Sequence, residues 1–236
     1  VTGAASNIGL ACAQRFAATH TVIMADIADA TQQAASLPYA VAVRVNVGEF
    51  DSCLNLVAEA MKYGRIDAVV HSARITRPAC SILDMPVEEW ENVIKVNLTG
   101  AFFLAKACIP PMLEAGQGAM VFFSSRAAKT GFAALGSNGA KTKAHYCASK
   151  AGVISLVKSL AMELAPYGIR VNGVAPGPVQ GTMIPKESWP VIAEKVPLNR
   201  LGTPEEMAEG AWFLCSPQAA FITGHILDIN GGTLMD

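Results

Sequence analysis

Charged residues are scarce in this sequence. Asp, Glu, Lys and Arg make up 16% of the 236 residues, whereas globular proteins usually carry about 25%. A surface with so little charge favours self-association, because contact with further copies would cover part of it. The formal net charge of −1 gives no basic surface for nucleic acid or an anionic membrane. We therefore expect neither of these partners.

Patterns that bind metals or form disulfides are also missing. The six cysteines are spread along the chain without a Cys-x-x-Cys pair, and the four histidines are scattered. This spacing argues against a disulfide framework and against a zinc site, so we expect no metal. We find no signal peptide and no apolar run that looks long enough to span a bilayer. The sequence thus predicts a cytoplasmic protein without a membrane partner.

Short apolar runs alternate with helical patterns along the whole chain. The hydrophobic fraction of 52% is sufficient for one large core. Strands are predicted at 21–26, 41–47, 68–71, 119–124, 170–175 and around 226–228, and helices at 50–63, 86–107, 146–165 and 204–214. This alternation predicts an α/β fold, a Rossmann-like doubly wound parallel sheet in three α/β/α layers, as a single domain over 1–236. Val1 already resembles the end of a strand, so we expect the start of strand one to be missing.

A turn that contains glycine opens the chain. The segment from Thr2 to Gly9, Thr-Gly-Ala-Ala-Ser-Asn-Ile-Gly, joins the end of a strand to a helix. Glycines at such a place let the backbone approach a phosphate, and the helix N-terminus supplies free N–H groups. The alternative is an ordinary strand-to-helix turn, because two glycines are weak evidence.

Asp26 ends the next predicted strand. A carboxylate about 20 residues downstream of a glycine-rich turn can accept hydrogen bonds from the adenosine ribose and repels a 2′-phosphate. No Arg or Lys occurs from Thr2 to Gly9 or from Asp26 to Leu37. The pattern favours NAD as the cofactor, with NADP less favoured, whereas the alternative role for Asp26 is a helix cap.

Tyr146 and Lys150 form the most informative pair. The apolar residues that follow recur at helical spacing, so both polar groups lie on one face, one turn apart. Tyr and Lys have reference pKa values near ~10, but a fixed ammonium beside a phenol favours the phenolate. Such a pair can exchange a proton with an alcohol or a ketone near neutral pH. Alone, Tyr-x-x-x-Lys also arises by chance in many helices.

Taken together, these features resemble the short-chain dehydrogenase/reductase family of the single-domain type, over essentially the whole chain. The segments that carry the resemblance are Thr2-Gly3-x-x-x-Asn7-Ile8-Gly9, Asp26, Val96-Asn97-Leu98-Thr99-Gly100, Ser124-Ser125, Tyr146-x-x-x-Lys150, Arg170-Val171-Asn172, Pro176-Gly177 and Asn230-Gly231-Gly232. The resemblance implies an oxidoreductase that interconverts a secondary alcohol and a ketone by hydride transfer with NAD(P).

The resemblance also implies the catalytic residues. Tyr146 would be the general acid/base, and Lys150 would favour its phenolate and hold the nicotinamide ribose. Ser125 would hydrogen-bond the substrate oxygen, and Asn97 would interrupt its helix and hold a water that relays protons. The structural alternatives are a helix kink or cap for Asn97 and a strand-end turn for Ser125. 

The implied cofactor contacts extend from the pyrophosphate to the nicotinamide. They are Thr2, Gly3, Ser6, Asn7, Ile8 and Gly9 at the pyrophosphate, Asp26 at the adenosine ribose, Asn46 and Val47 at the adenine, and Ser72, Ala73, Tyr146, Lys150, Pro176, Gly177 and Thr182 towards the nicotinamide half. The assignment of Thr182 to the carboxamide is loose, because the family spacing is slightly shorter.

Some positions depart from the family pattern. Asn7 replaces a glycine of the turn, and Arg74 replaces the glycine that usually ends the Asn-Asn-Ala-Gly segment. We expect the turn to survive, since Asn tolerates left-handed backbone. We expect Arg74 to face solvent rather than pair with a cofactor phosphate or an acidic substrate. The chain also has surplus residues around Gly136–Lys143, where Ser137 is a rival for the catalytic serine.

The substrate is the least determined feature. By resemblance, residues 178–200 would fold over the site as a lid. NAD preference favours oxidation of a sugar, polyol or hydroxy acid as the main interpretation. The first alternative is reduction of a 3-oxoacyl thioester, for which NADPH is usual. The alternative of another class is a catalytically weak NAD(H)-binding regulatory protein. The resemblance further implies a homotetramer.

Overall fold

A parallel sheet lies at the centre of the molecule. The structure is a computed structural model that describes residues 1–132 and 141–235, and six strands lie within these ranges. They are β1 Val22–Asp26, β2 Ala40–Arg44, β3 Ala68–His71, β4 Gly118–Phe123, β5 Ile169–Pro176 and β6 Ile226–Ile229. β1 pairs with β2, and β3 to β6 pair in the order β3-β4-β5-β6, all in parallel. Thr2 forms bridges with both Ala25 and His71, so the first residues of the chain lie between the two groups of strands.

Helices cover both faces of the sheet. Those in the described ranges are α1 Asn7–Ala17, α2 Thr31–Ala35, α3 Phe50–Met61, α4 Val87–Ile94, α5 Gly100–Ala115, α6 Arg126–Thr130, α7 Ala144–Leu164, α8 Trp189–Ala193 and α9 Pro204–Cys215, with a π-helical turn at Lys95–Thr99. One core cluster joins the sheet to α3, α5 and α7, and the other joins it to α1 and α9. The central strands β4 and β5 are almost wholly buried, as expected for a sheet covered on both faces.

The predicted doubly wound α/β fold is confirmed, with differences at the ends of elements. β2 ends at Arg44 rather than at Val47, and α5 continues to Ala115 beyond the predicted end. The short helices α2, α6 and α8 were not predicted, because five residues are too few to show a helical period.

The expectation that no apolar segment could span a bilayer is wrong by length and composition. The continuous helical stretch Val87–Ala115 is 29 residues long and apolar enough to qualify. Its second half lies in the core, where Leu104, Cys108 and Met112 are buried. The stretch is apolar because it packs between the sheet and its neighbouring helices, and such a core helix meets the same criterion.

The carboxyl ends of the strands lie at one edge of the sheet. Asp26, His71, Phe123 and Pro176 are the last residues of β1, β3, β4 and β5. Open parallel sheets bind ligands outside the carboxyl ends of their strands, at the point where the order of the strands reverses. The fold therefore brings the predicted site segments, which are far apart in sequence, to a single region.

Candidate active site

The glycine-containing turn adopts a conformation that requires its glycines. Gly3 has a φ of +67°, and a Cβ there would lie 2.8 Å from the backbone nitrogen of Ala73. A Cβ on Gly9 would lie only 1.9 Å from the carbonyl oxygen of Gly3. The turn therefore packs backbone against backbone before α1 begins, which leaves the helix N-terminus open to an anionic group.

Asn7 begins α1 in the left-handed region, with a φ of +47°. Its side-chain nitrogen Nδ2 donates a hydrogen bond to Oγ1 of Thr182 at 3.0 Å. A Cβ on Gly181 would lie 2.6 Å from Oδ1 of Asn7, so the segment after β5 crosses close to the turn. The turn survives the replacement of glycine, and the asparagine side chain links it to the predicted lid.

Asp26 bonds to the backbone on both sides of the strand end. Its Oδ2 accepts from the N–H of Ala5 at 2.9 Å, and its Oδ1 accepts from the N–H of Ala28 at 3.0 Å. The carboxylate thus holds the glycine-containing turn against β1. In the sheet register Asp26 pairs with Arg44, an exposed cation at the end of β2. Arg44 was not considered from the sequence, because strand pairing rather than chain distance brings it beside Asp26.

The predicted adenine contacts have local partners. Oδ1 of Asn46 accepts from the N–H of Gly48, and its Nδ2 donates to Glu49 at the start of α3. Val47 is 5% exposed and belongs to the core, where its side chain faces Gly100. The structure therefore uses the Asn46 side chain to hold the start of α3 and directs the Val47 side chain into the core.

One cavity of about 260 Å³ brings many of the predicted residues together. Its lining includes the predicted site residues Asn7, Ile8, Ser72, Ser125, Tyr146, Pro176, Gly177 and Thr182. The segment after β5 adds apolar side chains, among them Met183, Ile184 and Ile192. This cavity therefore joins the first turn, the end of β4, the start of α7 and the predicted lid.

Ser125 and Tyr146 face this cavity from neighbouring elements. Tyr146 is 6% exposed. Oγ of Ser125 accepts from the N–H of Ala127 at 3.1 Å and caps α6. This cap uses a lone pair of the oxygen and leaves the hydroxyl proton available, since Ser125 donates to no described residue. Ser125 thus has a structural role as the cap of α6, and its hydroxyl can still donate a hydrogen bond to a substrate oxygen.

Lys150 lies behind Tyr146 and is 1% exposed. Its Nζ donates to the carbonyl oxygen of Phe123 at 2.7 Å, while Oγ of Ser124 donates to the carbonyl oxygen of Lys150 at 2.8 Å. Burial, with a smaller effect from the charge of Arg74, lowers the pKa of Lys150 to about 7. The charge of Lys150 therefore changes near neutral pH. The two hydrogen bonds also connect helix α7 to the end of β4.

Asn97 lies in the π-helical turn between α4 and α5 and is fully buried. Its Nδ2 donates to the carbonyl of Ile75 and to Oγ of Ser149, and its Oδ1 accepts from the N–H of Ile75. Ser149 in turn donates to the carbonyl of Tyr146 at 2.8 Å. The expected interruption of the helix is present, whereas the proton-relaying water stays a prediction.

The expectation that Arg74 faces solvent is wrong. Arg74 is half-buried and lines the cavity that contains Ser125 and Tyr146. Lys143 lines the same cavity and was not recognised from the sequence, because a lysine just before a helix usually indicates no more than a solvated surface. Ser137 and most of the surplus loop lie outside the described residues.

Comparisons with known proteins agree with this geometry. A family model described as enoyl-(acyl carrier protein) reductase matches residues 3–233. A 3-oxoacyl-(acyl-carrier-protein) reductase FabG of Thermotoga maritima is 38% identical over 100% of this chain and 96% of its own length. This chain belongs to the short-chain dehydrogenase/reductase family. It is therefore an oxidoreductase that acts on CH–OH groups with NAD(P), and the regulatory-protein alternative is not supported.

Two further similarities extend this result. A cis-4-hydroxycyclohexanecarboxylate dehydrogenase of Sinomonas cyclohexanicum is 36% identical, over 98% of this chain and 94% of the relative. The crystal structure of gox2181 superposes with a TM-score of 0.91 at 33% identity, and covers 98% of this chain and 93% of that one. These relatives support the assigned fold along the whole chain.

The conformation of Asn7 yields a first prediction. Asn7→Gly should leave the free energy of unfolding within about 0.5 kcal/mol, because glycine adopts a positive φ without strain. Asn7→Ala should lower it by about 1 kcal/mol, because Cβ opposes the left-handed conformation. Urea unfolding of both variants measures the difference. Equal effects of glycine and alanine would show that the backbone at this position is unstrained.

The buried Lys150 yields a prediction about pH. Its pKa of about 7 in the folded protein lies below the ordinary value of ~10.4 for an unfolded chain. Between these values the unfolded state binds more protons, so this residue's contribution makes the protein more stable as pH rises. The unfolding free energy of the wild type minus that of Lys150→Met should rise above pH 7, with a slope that approaches about 1.4 kcal/mol per pH unit.

Urea unfolding between pH 6 and pH 9 measures this slope. The comparison with a variant cancels the contributions of the buried cysteines and other titrating groups. Lys158→Met, at an exposed position of the same helix, is the matched control and should give a curve parallel to that of the wild type. A parallel curve for Lys150→Met as well would contradict the assignment.

Proposed function

We propose that this enzyme interconverts 3-oxoacyl and 3-hydroxyacyl compounds by hydride transfer with NAD(P)(H). The observation that carries the proposal is the meeting of Ser125 and Tyr146 in one cavity with the glycine-containing turn. The apolar side chains of the lid segment in the same cavity suit an acyl chain. The name of the Thermotoga relative supports the 3-oxoacyl alternative better than the sugar, polyol or hydroxy acid interpretation.

The names of the relatives do not agree on the state of the carboxyl group. The Thermotoga relative is named for an acyl group on a carrier protein, whereas the Sinomonas relative is named for a substrate with a carboxylate. The proposal therefore covers 3-oxoacyl and 3-hydroxyacyl compounds whether their carboxyl group is free or bound as a thioester.

In the proposed mechanism, Tyr146 transfers a proton to or from the substrate oxygen. During reduction, its hydroxyl protonates the alkoxide that forms as the ketone carbon accepts a hydride. The hydroxyl of Ser125 donates a hydrogen bond to the same oxygen and stabilises its developing charge. When bound, NAD(P)(H) supplies or accepts the hydride. Oxidation of the alcohol follows the same path in reverse.

Lys150 and Asn97 act through Tyr146 in this mechanism. Lys150 lies one helical turn after Tyr146, and its ammonium would offset the negative charge that passes through the phenol oxygen during proton transfer. Asn97 positions the start of α7, because Ser149 joins its amide to the Tyr146 carbonyl. The contact of Lys150 with the nicotinamide ribose and the water held by Asn97 remain parts of the proposal.

The residues present fit a dinucleotide cofactor. The close packing of Gly3 and Gly9 leaves backbone N–H groups at the start of α1 for a pyrophosphate. Each carboxylate oxygen of Asp26 has one backbone donor, which leaves lone pairs for ribose hydroxyls. We propose NAD as the preferred cofactor on this basis. Arg44, which pairs with Asp26 in the sheet, is the opposing feature, because a cation there could bind the 2′-phosphate of NADP.

The assembly and compartment complete the proposal. We propose a homotetramer of single-domain subunits. All six cysteines are free, which supports a reducing compartment such as the cytoplasm.

Tyr146→Phe tests the proposed chemistry. The change removes the proton that the mechanism transfers, so kcat should fall by about 10²–10⁴-fold. Turnover of acetoacetyl-coenzyme A and of 3-hydroxybutyrate is followed at 340 nm with both cofactors. NADH affinity from calorimetry should stay within about threefold of the wild type. Tyr167→Phe, at an exposed tyrosine, is the control, and activity that survives Tyr146→Phe would exclude the mechanism.

Titration calorimetry with NADH and NADPH tests the cofactor preference. The wild type should bind NADH about tenfold more tightly, because the carboxylate of Asp26 repels a 2′-phosphate. Asp26→Asn should reduce this preference, and Arg44→Gln should increase it. Tighter binding of NADPH by the wild type, lost in Arg44→Gln, would assign the adenosine end to Arg44 instead.

A further inference from the structure

The cavity that contains Tyr146 is rich in positive charge. Arg74, Arg126 and Lys143 line it, and none of the described residues in its lining is acidic. Because every charged residue in this lining is a cation, the cavity carries a positive potential that attracts an anion. The three cations differ in the partners that the protein itself gives them.

Arg126 is occupied by the protein itself. It is 7% exposed, and its guanidinium donates to the carbonyl oxygen of Phe132 at 3.0 Å. This bond holds Arg126 against the segment that follows α6. Arg126 therefore contributes charge to the cavity, but its guanidinium is partly used for structure.

Arg74 and Lys143 lack anionic partners among the described residues. Arg74 makes no hydrogen bond and no ion pair there, although it is half-buried. The side chain of Lys143 makes one hydrogen bond to a described residue, from its Nζ to Oγ1 of Thr76 at 3.3 Å. A guanidinium or ammonium group that is partly removed from water is stabilised by a hydrogen-bonded anion. Two cations in one cavity thus leave the site electrostatically incomplete.

The two charges also affect each other. Burial, followed by the charge of Arg74, lowers the pKa of Lys143. Lys143 is moreover the residue that immediately precedes helix α7, where the positive end of the helix dipole disfavours a cation and favours an anion. An anion between the two side chains would relieve both effects.

Arg74 and Lys143 line the same cavity as the proposed catalytic residues. Arg74 follows β3 close to Ser72, and Lys143 precedes Tyr146 at the start of α7. Both share the cavity with Ser125 and Tyr146, and the apolar residues Met183 and Ile192 complete its lining. An anionic group held by the pair would therefore belong to the molecule whose oxygen meets Tyr146.

We propose that Arg74 and Lys143 form a carboxylate subsite, and that the substrate is a hydroxy acid or oxo acid with a free carboxylate. Its hydroxyl or ketone group lies at Ser125 and Tyr146. The planar guanidinium of Arg74 matches a carboxylate with two parallel hydrogen bonds. This inference rests on the proposed function and narrows it from acyl compounds in general to free acids.

The test compares each acid with its methyl ester, which has the same carbon skeleton without the charge. The acids are 3-hydroxybutyrate and 3-hydroxyhexanoate, each beside its methyl ester, and 3-hydroxybutyryl-coenzyme A serves as the thioester. The wild type should use at least one acid with kcat/KM about 10- to 100-fold above that of its ester. Arg74→Gln should remove most of this preference, mainly through KM, with ester turnover kept within about threefold.

Matched variants and a binding measurement make the result specific. Arg77→Gln changes a cation of the same loop outside the cavity lining and should keep the preference for acids, whereas Lys143→Gln should weaken it. Calorimetry of 3-hydroxybutyrate with the NADH-saturated protein should show binding that Arg74→Gln weakens. NADH affinity itself should be unchanged in both cavity variants.

Several results would overturn the subsite. A wild type that prefers the ester or the thioester would show that the carboxyl group is bound rather than free. Loss of NADH affinity in Arg74→Gln, with the ratio of acid to ester unchanged, would assign Arg74 to a cofactor phosphate. Absence of acid binding would exclude the subsite directly. Failure of the proposed function differs, because it would abolish turnover of acid, ester and thioester alike.

Discussion

The hydrogen bond from Lys150 to the carbonyl oxygen of Phe123 is the interaction on which the site depends. It joins the start of α7 to the carboxyl end of β4, where Ser124 adds a second bond to the backbone of Lys150. Asn97 and Ser149 hold the same helix from the other side. Because buried partners fix the helix from two directions, the Tyr146 phenol needs little reorganisation to meet a substrate.

Charge is divided unequally across the proposed ligand site. The cavity at Tyr146 carries Arg74, Arg126 and Lys143 without a carboxylate among its described lining, whereas Asp26 stands at the other end beside β2. The buried ammonium of Lys150 lies near this positive end, and its pKa is lowered mainly by burial and to a smaller extent by the charge of Arg74. An anionic substrate would lower the electrostatic cost of holding these cations together.

The sequence predicts the parts of the site that depend on short-range order. The turn from Thr2 to Gly9 and the helical spacing of Tyr146 and Lys150 are local patterns, and the structure brings both to one edge of the sheet. The direction of Arg74 could not be predicted, because partners distant in sequence hold the residues beside it: Ile75 bonds to Asn97, and Thr76 accepts from Lys143. Likewise, Arg44 lies beside Asp26 through strand register. Val47 follows a strand but turns into the core, which periodicity alone does not indicate.

A crystal structure of the protein with NADH and 3-hydroxybutyrate is the decisive experiment. The hydroxyl of 3-hydroxybutyrate should lie within hydrogen-bond distance of both Ser125 Oγ and Tyr146 Oη. Its carboxylate should contact Arg74, and the pyrophosphate of the cofactor should lie at the turn before α1. A substrate hydroxyl remote from Tyr146, or a cofactor bound away from that turn, would show that the proposed site is wrong.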